Sequence, residues 1–106
     1  MKTESNDLRH LGTVTATTTG KTANINSIAG YKTLVFIPYD GTLNLDSIFV
    51  PVAAFKTGIQ TSLNAYALSN YHGVVSVKYV SDTSISCQVR EIVGWNSINF
   101  RVYGMV

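Results

Sequence analysis

From Val74 to its end the chain reads as three strands in succession. Val74–Val80 (VVSVKYV), Ser84–Val93 (SISCQVREIV) and Ser97–Tyr103 (SINFRVY) are rich in β-branched and aromatic residues, which suit a pleated, half-buried surface. Turn residues separate them: Ser81-Asp82-Thr83 at one junction and Gly94-Trp95-Asn96 at the other. A terminal meander of this kind predicts an all-β module. Side chains alternate along a strand, so Ile98, Phe100 and Val102 share one face, with Asn99, Arg101 and Tyr103 opposite. In the preceding strand Ile85, Cys87 and Val89 align, and Glu91 would follow them inward. A bulge near Arg90-Glu91 restores the phase and turns Ile92 inward instead.

The upstream segments fit the same class. Leu11–Thr19 alternates, with Val14 and Ala16 on one face and Thr13, Thr15 and Thr17 on the other. Gly20-Lys21 is a turn signal, and Thr22–Ile28 is a second, polar strand. Tyr31–Tyr39 is different. Leu34, Val35, Phe36 and Ile37 are consecutive, so both faces are apolar. Such a strand lies centrally in a sheet covered on both sides, or turns one face to another subunit. Pro38 lacks a ladder donor and belongs near a strand end or an exposed edge.

Asp40-Gly41 is a hairpin turn, and Asp46–Val52 resumes as a strand whose Pro51 marks an edge or bulge. Ala53–Gly58 can form one helical turn closed by Gly58. Ile59–Leu68 reads as either loop or strand, extended over Ala65–Leu68, and Asn70-Tyr71-His72-Gly73 reads as a polar aromatic loop. About seven to nine short strands predict an antiparallel β-sandwich, jelly-roll-like or Ig-like, or a small barrel. The domain is expected to span residues 11–106, behind a flexible lead or connector at residues 1–10.

Composition narrows the function. At 106 residues the chain makes one domain that can bury roughly 65% of its unfolded surface without staples. The lone cysteine, Cys87, cannot form an internal disulfide. No apolar run approaches the roughly 20 residues that span a bilayer, so no membrane insertion is expected, and the polar start MKTESNDLRHLG is not a signal peptide. The eight basic residues are scattered and the net charge is only +2, so nucleic acid has no electrostatic footprint here. Charged residues make up 13% of the chain, against about 25% in an average domain. Thr, Ser and Asn take their place. Such a surface suits extracellular β-proteins and virion parts, and it leaves less charge to keep copies apart.

Catalytic constellations are hard to assemble. His10 sits in the lead and His72 beside Gly73, and one cysteine adds no ligand set with zinc spacing, so no metal or cofactor is expected. Cys87 lies mid-strand on the apolar face, where a thiol packs as a small hydrophobe. Asp40, Asp46 and Asp82 read as turn residues or strand starts, and Glu91 has no evident carboxylate partner. The chain lacks GxSxG, P-loop and GxGxxG patterns. An enzyme is not expected.

Binding is better supplied. Six tyrosines, four phenylalanines and one tryptophan sit among amides and hydroxyls, the groups that grip sugars. Asn64, Tyr66, Asn70, Tyr71 and His72 are the candidate receptor- or carbohydrate-binding residues, because aromatics there flank loop positions. The plainer reading makes Tyr66 and Tyr79 caps on the core with their hydroxyls at the rim, and Trp95 a core or corner residue.

Several segments in order carry a resemblance. They are Tyr31-Lys32-Thr33-Leu34, Ser47-Ile48-Phe49-Val50-Pro51-Val52, Val75-Ser76-Val77-Lys78-Tyr79, Asp82-Thr83-Ser84-Ile85-Ser86, Gly94-Trp95, and Ile98 through Val102-Tyr103-Gly104. Over residues 11–106 the chain resembles the C-terminal tip domains of tail fibres, baseplate and receptor-binding proteins of tailed bacteriophages and prophages. The resemblance implies a β-sandwich and a homotrimer. It also implies a place in the virion beside other virion proteins, and attachment to a host surface glycan or protein. Trimerisation would account for the two-sided strand and the apolar tail, through Val35, Ile37, Tyr39, Met105 and Val106. Such tips usually follow a long shaft, where about ten polar residues precede the first strand in this sequence, and the His-x-His iron-binding repeat of some tips does not occur in it. Rival expectations are a ligand-free virion component and a carbohydrate-binding module of a secreted bacterial protein.

Overall fold

A computed structural model describes residues 8–106. The strands are β1 (Leu8–Ala16), β2 (Lys21–Asn24), β3 (Thr33–Asp40), β4 (Leu43–Asn44), β5 (Ile48–Pro51), β6 (Thr61–Leu68), β7 (Tyr71–Ser81), β8 (Ser84–Val93) and β9 (Ile98–Met105). One helical turn, α1 (Val52–Phe55), follows β5. The strands form two antiparallel sheets. The first is five-stranded, in the order β1-β9-β3-β4 with β5 also on β3, and the second is four-stranded, in the order β2-β8-β7-β6. The all-β sandwich expected from the sequence is the observed fold. β1 pairs with β9 in one sheet while β2 pairs with β8 in the other, the nesting of first and last strands that gives a jelly roll its wrap.

The terminal meander is not observed. β7 and β8 form a hairpin, but β9 crosses to the opposite sheet. Both edges of β8 are already taken, by β7 and β2, so β9 pairs with β1 and β3 instead. Alternation had assigned the right faces, since Ile98, Phe100 and Val102 are buried, but alternation cannot say which sheet a strand joins.

Other boundaries moved for identifiable reasons. Leu8–His10, expected in the lead, begin β1, because they pair with Tyr103–Met105; residues 1–7 lie outside the described residues. An extra residue, Leu11, sits between the paired His10 and Gly12 and is buried. β2 ends at Asn24, and Ile25 and Ile28 leave the ladder yet stay in the core, their N–H groups donating to Thr83 and Asp82 carbonyls at 2.9 Å. The expected loop Asn70–Gly73 shrinks to a two-residue turn at Ser69-Asn70, because Tyr71 pairs with Leu68 and starts β7. The bulge expected near Arg90-Glu91 is present: Val74 pairs with Glu91 and Val75 with Val89, leaving Arg90 as the extra residue.

β3 is central in its sheet, between β9 on one edge and β4 and β5 on the other. Leu34 and Phe36 enter the core, while Val35 lies on the outer face between its partners Phe49 and Tyr103. The Pro38 carbonyl accepts from Leu45 N–H at 2.8 Å, in the gap between β4 and β5. The ring nitrogen, which cannot donate, points to the same edge as the carbonyl, into that gap, where Pro38 has no ladder partner. Asp40 and Leu43 close a hairpin with Gly41 at φ 60°, the first central residue of a two-residue loop. The core spans both inner faces and includes an aromatic column. Phe100 and Phe36 meet edge-on at 5.7 Å, Phe36 and Phe55 tilt at 6.3 Å, and Phe55 meets Tyr79 edge-on at 5.9 Å. Each such pair adds about 0.5–1.5 kcal/mol beyond its buried area.

Gly73 is an inner position of β7 with no room for a side chain. A Cβ there would lie 2.6 Å from the Glu91 carbonyl oxygen and 2.6 Å from Ile98 Cδ1. The carbonyl belongs to the β7–β8 ladder and cannot give way. Gly73→Ala is expected to cost about 2–4 kcal/mol in denaturant unfolding. Gly30→Ala meets open space and suffers only from its φ of 90°, so a loss of about 1 kcal/mol is expected.

Candidate functional site

Strand directions divide the sandwich into two ends. β1 enters at Leu8 and β9 leaves at Met105 side by side, near the β7–β8 turn and α1. The opposite end carries the β3–β4 hairpin, the Ser69-Asn70 turn and the β8–β9 crossing. The candidate binding residues all lie at that opposite end.

The structure splits those residues into two groups. Asn64, Tyr66 and His72 share the outer face of the second sheet. Tyr66 pairs with His72 across β6 and β7, and their rings stack at 5.8 Å and 28°. Tyr66 is 60% exposed, and exposed Val93 pairs with His72 on its other side. Asn70 and Tyr71 belong elsewhere. Asn70 is in the turn, and the Tyr71 ring lies against Gly94 and 6.1 Å from the Trp95 ring.

Trp95 links this rim to a cleft that sequence reading missed. Tyr39, Asp40, Leu45, Trp95, Asn96 and Asn99 line about 280 Å³ beside the crossing. The sequence predicts Asp40 as a turn residue or strand start and Trp95 as a core or corner residue, with neither in a binding site. Their convergence follows from β9 crossing the sandwich, which sets the Gly94–Ser97 link beside the β3–β4 hairpin. The available signal was composition: Trp95-Asn96-Ser97 and Asp40 are aromatic, amide, hydroxyl and carboxylate groups clustered at turns. Nearby, the Arg101 guanidinium lies 4.0 Å over the Tyr39 ring and donates to Asn44 Oδ1 at 2.7 Å. Thr15 Oγ1 donates to Asn99 Oδ1 at 2.6 Å.

The expected oligomer-interface residues also gather, except for the last. Val35, Ile37, Tyr39 and Met105 lie on the outer face of the first sheet, alternating with the core residues of β3 and β9. Val106 follows β9 and is exposed. Phe49, 60% exposed, and Tyr103 flank Val35, and Leu8 pairs with Met105. The outer face of the second sheet is polar below Tyr66: Ser62, Ser76 and Gln88 form one row, and Lys78 pairs with Ser86. Arg90 Nε donates to Ser76 Oγ there at 2.8 Å.

The titratable groups that could do chemistry stand apart. His10 meets Tyr103 edge-on at 5.2 Å on the first sheet, while His72 is on the outside of the second. Cys87 is buried between the sheets, and burial raises its thiol pKa. At the β7–β8 turn, Tyr79 Oη donates to Asp82 Oδ1 at 2.9 Å, and Lys56 Nζ lies 3.3 Å from the same oxygen. The Tyr79 bond, then Lys56, lowers the Asp82 pKa, and that bond to Asp82 raises the Tyr79 pKa. This cluster pins α1 to the turn.

No family model, curated protein or solved structure matches the chain.

A carboxylate whose pKa is lowered on folding stabilises above its unfolded pKa, near 3.9, and loses that contribution as pH falls further. Tm is therefore expected to fall on acidification below about pH 4. Tyr79→Phe keeps the ring against Phe55 and removes the O–H donor. Its Tm, followed by circular dichroism, is expected to fall less steeply over that range, the difference being small because the pair is solvent-screened.

Proposed function

We propose that this chain is a virion attachment module of a tailed bacteriophage or prophage. It self-associates as a trimer through the outer face of its first sheet and presents its opposite end to a receptor on the host surface. The observation that carries this reading is a separation along the molecule. An apolar face, exposed at Phe49 and Leu8, half-buried at Tyr103 and Met105 and buried at Val35, lies toward the end where the chain enters and leaves. Exposed aromatic and amide groups lie at the other end. Exposed apolar patches of this kind mark association surfaces, and low surface charge lets copies approach. The order of motifs along residues 11–106 adds the virion context.

The Tyr66–His72 strip and the Trp95 cleft are each complete within one chain. That favours, as a second reading, a carbohydrate-binding module that works as a monomer.

Light scattering separates the two. The trimer reading expects three times the 11.5 kDa chain mass, and Phe49→Arg is expected to give a folded monomer with an unchanged circular dichroism spectrum. A monomeric wild type contradicts the trimer. Receptor binding is tested by adsorption to bacterial cells. Tyr66→Ala removes an exposed ring, so stability should hold while adsorption weakens about fivefold or more. Unchanged adsorption would exclude the Tyr66–His72 strip, and no adsorption to any bacterial surface would leave a ligand-free structural component.

A further inference from the structure

We propose that the cleft beside the β8–β9 crossing is a saccharide pocket that takes a neutral sugar ring at the end of a surface glycan. The inference rests on the receptor reading and deepens it by assigning the ligand class and the residues.

Three properties of the cleft carry it. The first is size. About 280 Å³ lies just under the roughly 300–1,000 Å³ that accommodates drug-sized ligands, so one sugar ring or a terminal disaccharide fits. The second is lining. Trp95 is half-buried and offers part of a flat indole, which suits the C–H face of a pyranose. Around it stand a carboxylate (Asp40), two amides (Asn96 and Asn99) and a hydroxyl (Ser97), which suit vicinal sugar hydroxyls. Asn99 is already oriented: its Oδ1 accepts from Thr15 at 2.6 Å, which leaves its amide NH₂ to donate. The third is charge. Among the described residues lining the cleft, none is cationic, and Asp40 is anionic. Arg101, the nearest cation described above, is committed to the Tyr39 face and to Asn44. A carboxylate in the lining, with no cation among the described lining residues, disfavours uronic and sialic acids and favours a neutral ring.

The elements that hold these groups are rigid. Asp40 closes the β3–β4 hairpin through its pairing with Leu43, and Asn99 is paired within β9 to both Thr15 and Tyr39. The pocket is therefore preformed, and sugar binding needs little ordering of the protein.

The chain has one tryptophan, so tryptophan emission, excited selectively over the six tyrosines, reports on the surroundings of Trp95. The probes are a printed array of neutral and acidic bacterial oligosaccharides, followed by titration of the strongest neutral binder against Trp95 emission. A saturable emission change is expected with neutral sugars and none with acidic ones. Asp40→Ala and Asn96→Ala alter exposed side chains, keep Trp95, and are each expected to weaken binding about tenfold at unchanged Tm. Array binding or cell adsorption with Trp95 emission unmoved and both variants at full affinity would overturn the cleft and leave the receptor reading standing. A preference for acidic sugars would overturn the ligand class. Absence of both array binding and cell adsorption would overturn the pocket and the receptor reading together.

Discussion

The position of β9 between β1 and β3 governs the molecule. β9 pairs along both edges, with β1 from Ile98 to Met105 and with β3 from Asn99 to Met105. β8 has no edge left to offer it. The chain must therefore pass from one sheet to the other in the four residues 94–97. Stacked sheets lie roughly 10 Å apart, and the five Cα–Cα steps from Val93 to Ile98 reach at most about 18 Å. The link is short. Gly94 begins it at φ 84°, with Tyr71 and the Asn70 carbonyl packed where a side chain would be. Trp95, Asn96 and Ser97 are consequently held across the opening of the sandwich. The cleft is a product of that crossing.

The same pairing sets what the two outer faces do. With β9 and β3 adjacent, their inner residues supply Phe36, Phe100, Leu34 and Val102 to the core. Their outer residues place Val35 beside Tyr103 and Phe49. Full burial of a large apolar side chain is worth about 1.5–3 kcal/mol, so the inner set dominates folding. The outer set contributes little to a single chain where it stays exposed, as Phe49 does, and has more to gain from a second copy. The outer face of the second sheet is mixed: serines, a glutamine and a lysine form its middle, with exposed Tyr66 and Val93 toward one end and Val80 toward the other.

Much of this was legible in the residues, and the limits have physical causes. Period-two alternation is a local property. It gave the faces of β8 and β9 and the bulge at Arg90, while turn chemistry gave the hairpin at Asp40-Gly41. Sheet membership is non-local and depends on which edges are free, so the meander was wrong although each strand was right. The Asn70–Gly73 loop failed for a related reason. Gly73 reads as a turn residue, but here it is a strand residue that lets the Glu91 carbonyl and Ile98 approach. Of the candidate site, Asn64, Tyr66 and His72 were brought together by register. The cleft could not be seen because residues 39–40 and 95–99 meet only once the crossing is known.

The crossing is tested most directly by cross-strand nuclear Overhauser contacts in an isotope-labelled sample. This account expects Phe100 to show backbone contacts to Val14 on one side and Pro38 on the other, its register partners in β1 and β3. Contacts instead joining Phe100 to β8, as a continuous meander would give, would contradict it and dissolve the cleft with it.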